Sequence, residues 1–144
     1  MPRTYTTLTL DDAKLMLAAA EAKATTIGVP YNIAVVDAGG HLLAFVRQDD
    51  ALIGSINLAI NKARTARIFD KPTSLFAELA QPGEPLYGIQ QTNDGKVVVF
   101  GGGVPVLVDG HIVGAVGASA GTVEQDVAVV EAAINALALG NSKR

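Results

Sequence analysis

Two short turns constrain this chain more than any other feature, because each joins two apolar segments that have the composition of β-strands. The first turn is Asp37-Ala38-Gly39-Gly40 and the second is Asp109-Gly110. Strands joined by so few residues must pair antiparallel, whereas parallel strands need a long crossover. The four segments are 32–37, 42–46, 104–108 and 112–119. They favour antiparallel hairpins over a parallel sheet of the Rossmann type.

The segments around these hairpins have the spacing of amphipathic helices. Thr9 with Asp12, and Thr122 with Gln125, form the pattern of a capping box at two helix starts. The predicted helices are Leu10 to Ile27, Ile53 to Phe69, a short helix from Thr73 to Ala80, and Thr122 to about Leu139.

Glycine and proline mark where these helices end. Gly28 and Pro30 end the first helix, and Gly140 stands where the C-terminal cap of the last helix belongs. Thr73 follows a proline and is expected to cap the short helix with its hydroxyl.

A further β-branched segment, Val97 to Phe100, predicts a fifth strand. Between it and the helices lies a long irregular connection, Gln81 to Lys96. With 144 residues the chain fits one domain, 1–144. We therefore predict an α/β (α+β) fold in which a five-stranded antiparallel sheet is flanked by helices in three layers.

Charge and composition exclude several functions. The net charge is −3 and the basic residues are scattered, which is unlike the basic surface that nucleic-acid binding requires. The chain has no cysteine, so disulfides and thiolate metal sites are excluded. It shows no signal-peptide pattern and no apolar stretch of membrane-spanning length, so we expect a cytoplasmic protein without a membrane partner. Charged residues make up only 17% of the chain, which favours a homo-oligomer, a dimer or higher.

Three consecutive glycines, Gly101, Gly102 and Gly103, are the most unusual local feature, because glycine loses the most backbone entropy on folding. One interpretation is a loop whose N–H groups bind a carboxylate or another anion. The other is a place where a second backbone approaches closely. The small residues of 114–121, which include Ser119, lead into a helix start that favours anions, but close helix packing explains them equally well.

Arg47 lies between a predicted strand and a predicted helix, where its guanidinium can bind a carboxylate in bidentate fashion. The alternatives are surface pairing with Asp49 or Asp50, and capping of the helix by either aspartate. Lys62 shares a helix stripe with Ser55 and small residues. It is either a base or Schiff-base former in a pocket or a surface lysine, and the surface lysine is the simpler interpretation.

The two histidines, His41 and His111, each follow a tight turn and are expected to be exposed at hairpin tips. Their spacing is not that of a shared metal site. Haem needs only one histidine per subunit, so haem remains a possible cofactor. No serine lies in a nucleophile-elbow pattern.

Together these motifs resemble the GlcG/HbpS-like family over nearly the whole chain. The resemblance implies a profilin-like fold and assembly into dimers or larger rings. It also implies binding of haem for some members, and an association with glycolate or diol metabolism for others. The segments that carry the resemblance are Val36–Leu42, Arg47–Ala51, Ser55 with Ala59, Lys62–Ala66, Gly101–Pro105, Asp109-Gly110, Gly114–Gly121 and Glu124–Asp126.

Two segments depart from the pattern that is usual in that family. Arg47-Gln48-Asp49-Asp50-Ala51 stands where relatives usually read Arg-Met-Asp-Gly-Ala. Ser119-Ala120-Gly121 stands where they usually read Ser-Gly-Gly. Both changes lie beside the expected pocket, so they bear on which ligand it accepts. No histidine of this chain lies in a matching family motif, so the resemblance assigns no haem ligand.

We therefore expect a small-ligand-binding protein, with haem or a related tetrapyrrole as the candidate ligand. The alternative is an enzyme of small-molecule catabolism that acts on a small organic acid or carbonyl compound. In that enzyme Arg47 and the loop Gly101–Gly103 hold an anionic group, and Lys62 is the base. The third hypothesis is a purely structural oligomer. Lys62 and Arg47 are the candidate catalytic residues, and the candidate ligand-binding residues are Arg47, Asp49, Ser55, Lys62, Gly101, Gly102, Gly103 and Ser119.

Overall fold

A computed structural model describes residues 1–142 of the chain. Within them a four-stranded sheet is packed between helices, and two short 3-10 turns, Ile89–Gln91 and Asn93–Gly95, lie in the long connection before the third strand. The helices and strands are α1 (Leu10–Ile27), β1 (Asn32–Asp37), β2 (Leu42–Arg47), α2 (Ser55–Phe69), α3 (Ser74–Leu79), β3 (Gly103–Val108), β4 (His111–Ser119) and α4 (Val123–Ser142).

Both predicted capping boxes are confirmed. At the start of α1 the Thr9 hydroxyl accepts from the Asp12 N–H at 3.2 Å, while the Asp12 carboxylate accepts from the Thr9 N–H at 2.9 Å. Thr122 and Gln125 make the same reciprocal pair before α4, at 3.2 and 3.0 Å. Such pairs satisfy the N–H groups that a helix start leaves open, so local sequence fixes these two starts.

Two other predicted details of the helix ends are wrong. The Thr73 side chain does not cap α3; its hydroxyl accepts from the Gly103 N–H at 2.9 Å instead. Gly140 is not the end of α4, which continues to Ser142. A Cβ at Gly140 would lie 2.7 Å from Leu15 Cδ2, so this glycine allows α4 to lie close to α1.

The sheet has the order β2-β1-β4-β3, and every neighbouring pair is antiparallel. Both predicted turns are confirmed as the hairpin connections β1–β2 and β3–β4. Gly40, Asp109 and Gly110 all have positive φ there, at 80°, 51° and 79°. The central pair is β1 with β4, which joins the two hairpins.

The predicted fifth strand, Val97 to Phe100, is wrong. Val97 and Val98 are buried, but the described segment forms no ladder with a strand. Instead the Val98 N–H donates to the Thr65 hydroxyl of α2 at 3.1 Å. The chain then turns at Gly102, whose φ of 121° is unfavourable for other residues, and only afterwards enters β3. Apolar, β-branched composition predicted burial here but not strand pairing.

The predicted three-layer arrangement agrees with how the strands distribute their side chains. Ile33 and Val35 of β1 pack with α1 and α4 on one face of the sheet. Ala34 and Val36 pack with the alanines of α2 on the other face. This alternation is the two-residue period of a strand buried on both sides.

Glycines let α2 lie unusually close to the sheet. A Cβ at Gly117 would lie 2.2 Å from the Ala59 carbonyl oxygen, and one at Gly103 would lie 2.3 Å from the Lys62 carbonyl oxygen. No side chain fits at such distances from backbone atoms. The small residues of β4 therefore serve close packing of α2, as one of the two sequence interpretations proposed.

Within 1–142 no group of three or more His, Asp or Glu side chains is arranged to hold a metal ion. In the same range, no helix combines the length and apolar character needed to cross a membrane.

Candidate functional site

Lys62 is fully buried, so the interpretation as a surface lysine is wrong. Its Nζ donates to the Asp126 Oδ2 atom at 2.8 Å and to the Ala118 carbonyl oxygen at 3.0 Å. The ring of Phe100 covers the same ammonium, with its centroid 5.1 Å away. Small neighbours such as Gly102 and Gly117 leave the room for this side chain beneath α2. The stripe of small residues around Lys62 was thus a signal of burial.

Asp126 connects four parts of the fold. One carboxylate oxygen accepts from Lys62 of α2, and the other accepts from the Tyr31 hydroxyl at 2.6 Å and from the Gly121 N–H at 3.0 Å. Both Asp126 and Tyr31 are buried. Charge-assisted hydrogen bonds of this kind are stronger than neutral ones, and they compensate for the cost of burying the carboxylate. Sequence reasoning missed Tyr31 and Asp126 because their partners lie far away along the chain.

Burial is the main cause that raises the pKa of Tyr31 far above its usual value, and the hydrogen bond to Asp126 and the negative charge of that carboxylate add to the effect. Above about pH 10 an unfolded tyrosine ionises, whereas folded Tyr31 keeps its proton. The contribution of Tyr31 to the free energy of unfolding is therefore expected to be fully present and independent of pH below that value. Above it this contribution falls with rising pH, by at most about 1.4 kcal/mol per pH unit. Urea unfolding between pH 9 and 11 measures this slope. Tyr31→Phe is expected to have a smaller slope than the wild type, and equal slopes would contradict the assignment.

The loop Gly101–Gly103 is occupied by its own neighbours. The Gly103 N–H donates to Thr73, and the Gly102 carbonyl oxygen accepts from the Ala118 N–H at 2.9 Å. A Cβ at Gly102 would lie 2.7 Å from Lys62 Nζ, and one at Gly101 would lie 2.7 Å from a methyl group of Val123. All three glycines are buried. The geometry supports the interpretation of closely approaching backbones.

Arg47, Asn32 and Ser119 form one row across three strands. Asn32 of β1 is paired with Arg47 of β2 on one side and with Ser119 of β4 on the other. Directly paired residues of antiparallel strands project to the same face, here the face that α2 covers. Ser55, in the first turn of α2, lies one helical turn before Ala59, which contacts Gly117. Ser55 is therefore placed toward the Ser119 end of β4.

The candidate ligand-binding residues do not form a single site. Arg47 lies on β2 and Gly103 begins β3, and these are the two opposite edges of the sheet. Strands are spaced about 4.8 Å apart, so the two edges are separated by about 14 Å. Within one chain Arg47 and the glycine loop therefore do not hold the same small anionic group. Asp49 is exposed and lines a separate shallow cleft of about 310 Å³ beside the connection between α1 and β1.

A cleft of about 430 Å³ lies at the end of the sheet that carries the hairpin turns, next to the N-terminal segment and the end of α2. His111, Tyr5, Arg3 and Arg67 are among its walls. Arg67 is held in place by donating to the Ala38 carbonyl oxygen and to the Asp70 carboxylate. A second cleft of about 420 Å³ shares Tyr5 and Arg67 with the first. Both histidines are exposed at hairpin turns, as predicted. The position of the N-terminal segment beside His111 has no signal in the sequence.

A family model described as "Haem degrading protein HbpS-like" matches residues 8–135 of the chain. Among curated proteins, the chain is similar to an uncharacterized 15.0 kDa protein encoded in the dhaT-dhaS intergenic region of Citrobacter freundii. The two are 47% identical over 129 residues, which is 90% of this chain and 91% of that protein.

Two solved structures have the same fold at substantial sequence identity. One is the crystal structure of protein ORFY from Klebsiella pneumoniae, with a TM-score of 0.94, 40% identity, and coverage of 95% of this chain and 94% of that one. The other is the crystal structure of the PduOC:heme complex, with a TM-score of 0.88, 38% identity, and coverage of 91% and 95%.

Proposed function

The chain belongs to the HbpS-like family, and from that premise we propose that it is a small-ligand-binding protein whose ligand is haem. The observation that carries the proposal is the cleft beside His111, because its walls contain the groups that haem requires. The similarity to PduOC, which has been crystallised with heme, supports the same ligand. Its volume of about 430 Å³ falls within the range of ligand pockets, roughly 300–1,000 Å³.

The residues of this cleft fit the chemical parts of haem. His111 offers an imidazole, which is a common axial ligand of haem iron. Arg3 and Arg67 offer guanidinium groups for the two propionates, and Tyr5 offers an aromatic ring that is 70% exposed. When bound, haem supplies a redox-active iron. With haem in this cleft, His111 would hold the iron, Arg3 and Arg67 would neutralise the propionates, and Tyr5 would pack against the macrocycle.

A titration with hemin tests the proposal. Wild-type protein is expected to shift the Soret band of free hemin and to saturate at a fixed stoichiometry. His111→Ala is expected to weaken binding at least tenfold and to change the position of the band, because it removes the iron ligand. His41→Ala is the matched control, since His41 is also exposed but lies on the other hairpin. An unshifted spectrum of free hemin, or equal binding by both variants and the wild type, would contradict the proposal.

The alternative function, an enzyme with Lys62 as base, has less support. A base needs a free electron pair, whereas the amine of Lys62 is held between the Asp126 carboxylate and the Ala118 carbonyl oxygen. The Gly103 amide is also occupied, by Thr73. Among residues 1–142 the side chains of Arg47, Ser55 and Ser119 make no hydrogen bond or ion pair, and they stay proposed ligand residues.

We propose a homo-oligomer because large apolar side chains are exposed at Leu52 and Ile53, which are 62% and 76% exposed. Two adjacent, exposed apolar side chains favour burial against another subunit. Sedimentation velocity measures the state of assembly. A cytoplasmic location stays a prediction from the sequence, for cell fractionation to test.

A further inference from the structure

We propose that the N-terminal end of α2 is a second ligand site, for a small carboxylate that carries a hydroxyl or ammonium group beside its carboxylate. The site consists of Arg47, Asn32, Ser119 and Ser55. It lies at the end of the sheet opposite the hairpin turns, and it does not depend on haem binding at His111.

The positive charge of this site has no partner in the described structure. Among residues 1–142 the two ion pairs are Lys62–Asp126 and Arg67–Asp70, so the exposed guanidinium of Arg47 is not paired with Asp49 or Asp50. The first turn of α2 contains no acidic residue, and no side chain caps the helix. The N-terminus of a helix carries a partial positive charge, which adds to that of Arg47 in favouring an anion.

Asn32 supplies an independent observation that points to a ligand. The residue is fully buried, and its Nδ2 donates to the Leu52 carbonyl oxygen at 2.9 Å. Its Oδ1 atom is buried without a hydrogen-bond partner. A buried acceptor without a donor costs about 1–3 kcal/mol, so a donor on a ligand at this place is strongly favoured. A carboxylate has no proton to donate, which means that the ligand needs a second group.

Two buried serines offer further hydrogen-bonding groups to such a ligand. Ser119 lies beside Asn32 in the row, and Ser55 begins the helix above it. Both are buried, 4% and 6% exposed, and within residues 1–142 neither hydroxyl takes part in a hydrogen bond. A hydroxyl can donate or accept, so these two side chains can bind either group of the ligand. Since directly paired residues have Cβ atoms only about 5 Å apart, an anion beside Arg47 and a donor at Asn32 Oδ1 together favour a small 2-hydroxy or 2-amino carboxylate.

Four probes with the same three-carbon skeleton test the ligand class by calorimetry. Lactate carries the carboxylate and a hydroxyl, alanine carries an ammonium instead, propionate lacks the donor, and lactamide lacks the charge. We expect lactate or alanine to bind at least tenfold more tightly than both propionate and lactamide, since each of these leaves one group of the site unpaired. The tighter of lactate and alanine identifies the donor. Equal affinity for propionate, or no binding of lactate and alanine, would overturn the proposal.

A variant at an exposed position tests the site without disturbing the core. Arg47→Ala is expected to weaken binding of the preferred probe at least tenfold, because it removes a charge-assisted contact. Arg64→Ala is the matched control, since Arg64 lies on α2 but about 13 Å along the helix from Ser55. It is expected to bind like the wild type. Equal losses in both variants, or no loss in Arg47→Ala, would overturn the assignment. His111→Ala is expected to leave this binding unchanged, which separates the site from the haem cleft.

Discussion

Replacing Asp126 by alanine is expected to lower the free energy of unfolding by about 3–5 kcal/mol, because it leaves the Lys62 ammonium buried without its counter-charge. The Tyr31 hydroxyl and the Gly121 N–H lose their acceptor at the same time. Most domains are stable by only about 5–15 kcal/mol, so the loss is a large share of the total. Equilibrium unfolding in urea, followed by circular dichroism, measures it.

A double variant separates the charge from the packing. Lys62→Met combined with Asp126→Leu removes both charges and retains apolar volume, so it is expected to recover most of the stability that Asp126→Ala loses. The remaining loss belongs to Tyr31 and Gly121, which stay without an acceptor. If the double variant is as unstable as the single one, the unpaired ammonium is not the cause.

Gly117→Ala is expected to destabilise the fold by about 3 kcal/mol or more, because its added Cβ has no room. That atom would lie 2.2 Å from the Ala59 carbonyl oxygen and 2.6 Å from the Ala63 backbone nitrogen. Backbone atoms of α2 cannot rotate away, so the whole helix would have to move off the sheet. Denaturant unfolding gives the free energy, and thermal unfolding is expected to show a lowered Tm.

Gly54→Ala is the control for that substitution. Gly54 precedes α2 with φ of −62°, and a Cβ there would have no atom within 4 Å. Its free energy of unfolding is expected to change by less than about 1 kcal/mol. If Gly117→Ala behaves like Gly54→Ala, α2 does not depend on close contact with β4.

Local signals in the sequence predicted local structure well. The bounds of α1 and β1 are those predicted, because Thr9, Asp12 and Gly28 act on residues within one turn of themselves. The two hairpins followed from Asp37–Gly40 and Asp109-Gly110 for the same reason. Thr73 failed as a cap because Gly103, which is 30 residues away, competes for its hydroxyl.

The candidate sites were harder to predict because their contacts are between distant residues. Arg47 and Ser119 were identified by type, but Asn32 between them became visible only through the register of β1 with β2 and β4. The burial of Lys62 depends on Asp126, which is 64 residues further along the chain. The three consecutive glycines are unusual in the sequence, but their composition fits both an anion-binding loop and close packing. Only the distances to neighbouring atoms, such as Lys62 Nζ, distinguish the two.

The pairing of β1 with β4 also has a consequence for how the molecule forms. Each hairpin needs only nearby residues and can close within microseconds, but the contact between Tyr31 and Asp126 spans 95 positions. Pairing across such a span is entropically costly and slows folding. During synthesis one side of β1 therefore stays open to pairing with other molecules until β4 has been made.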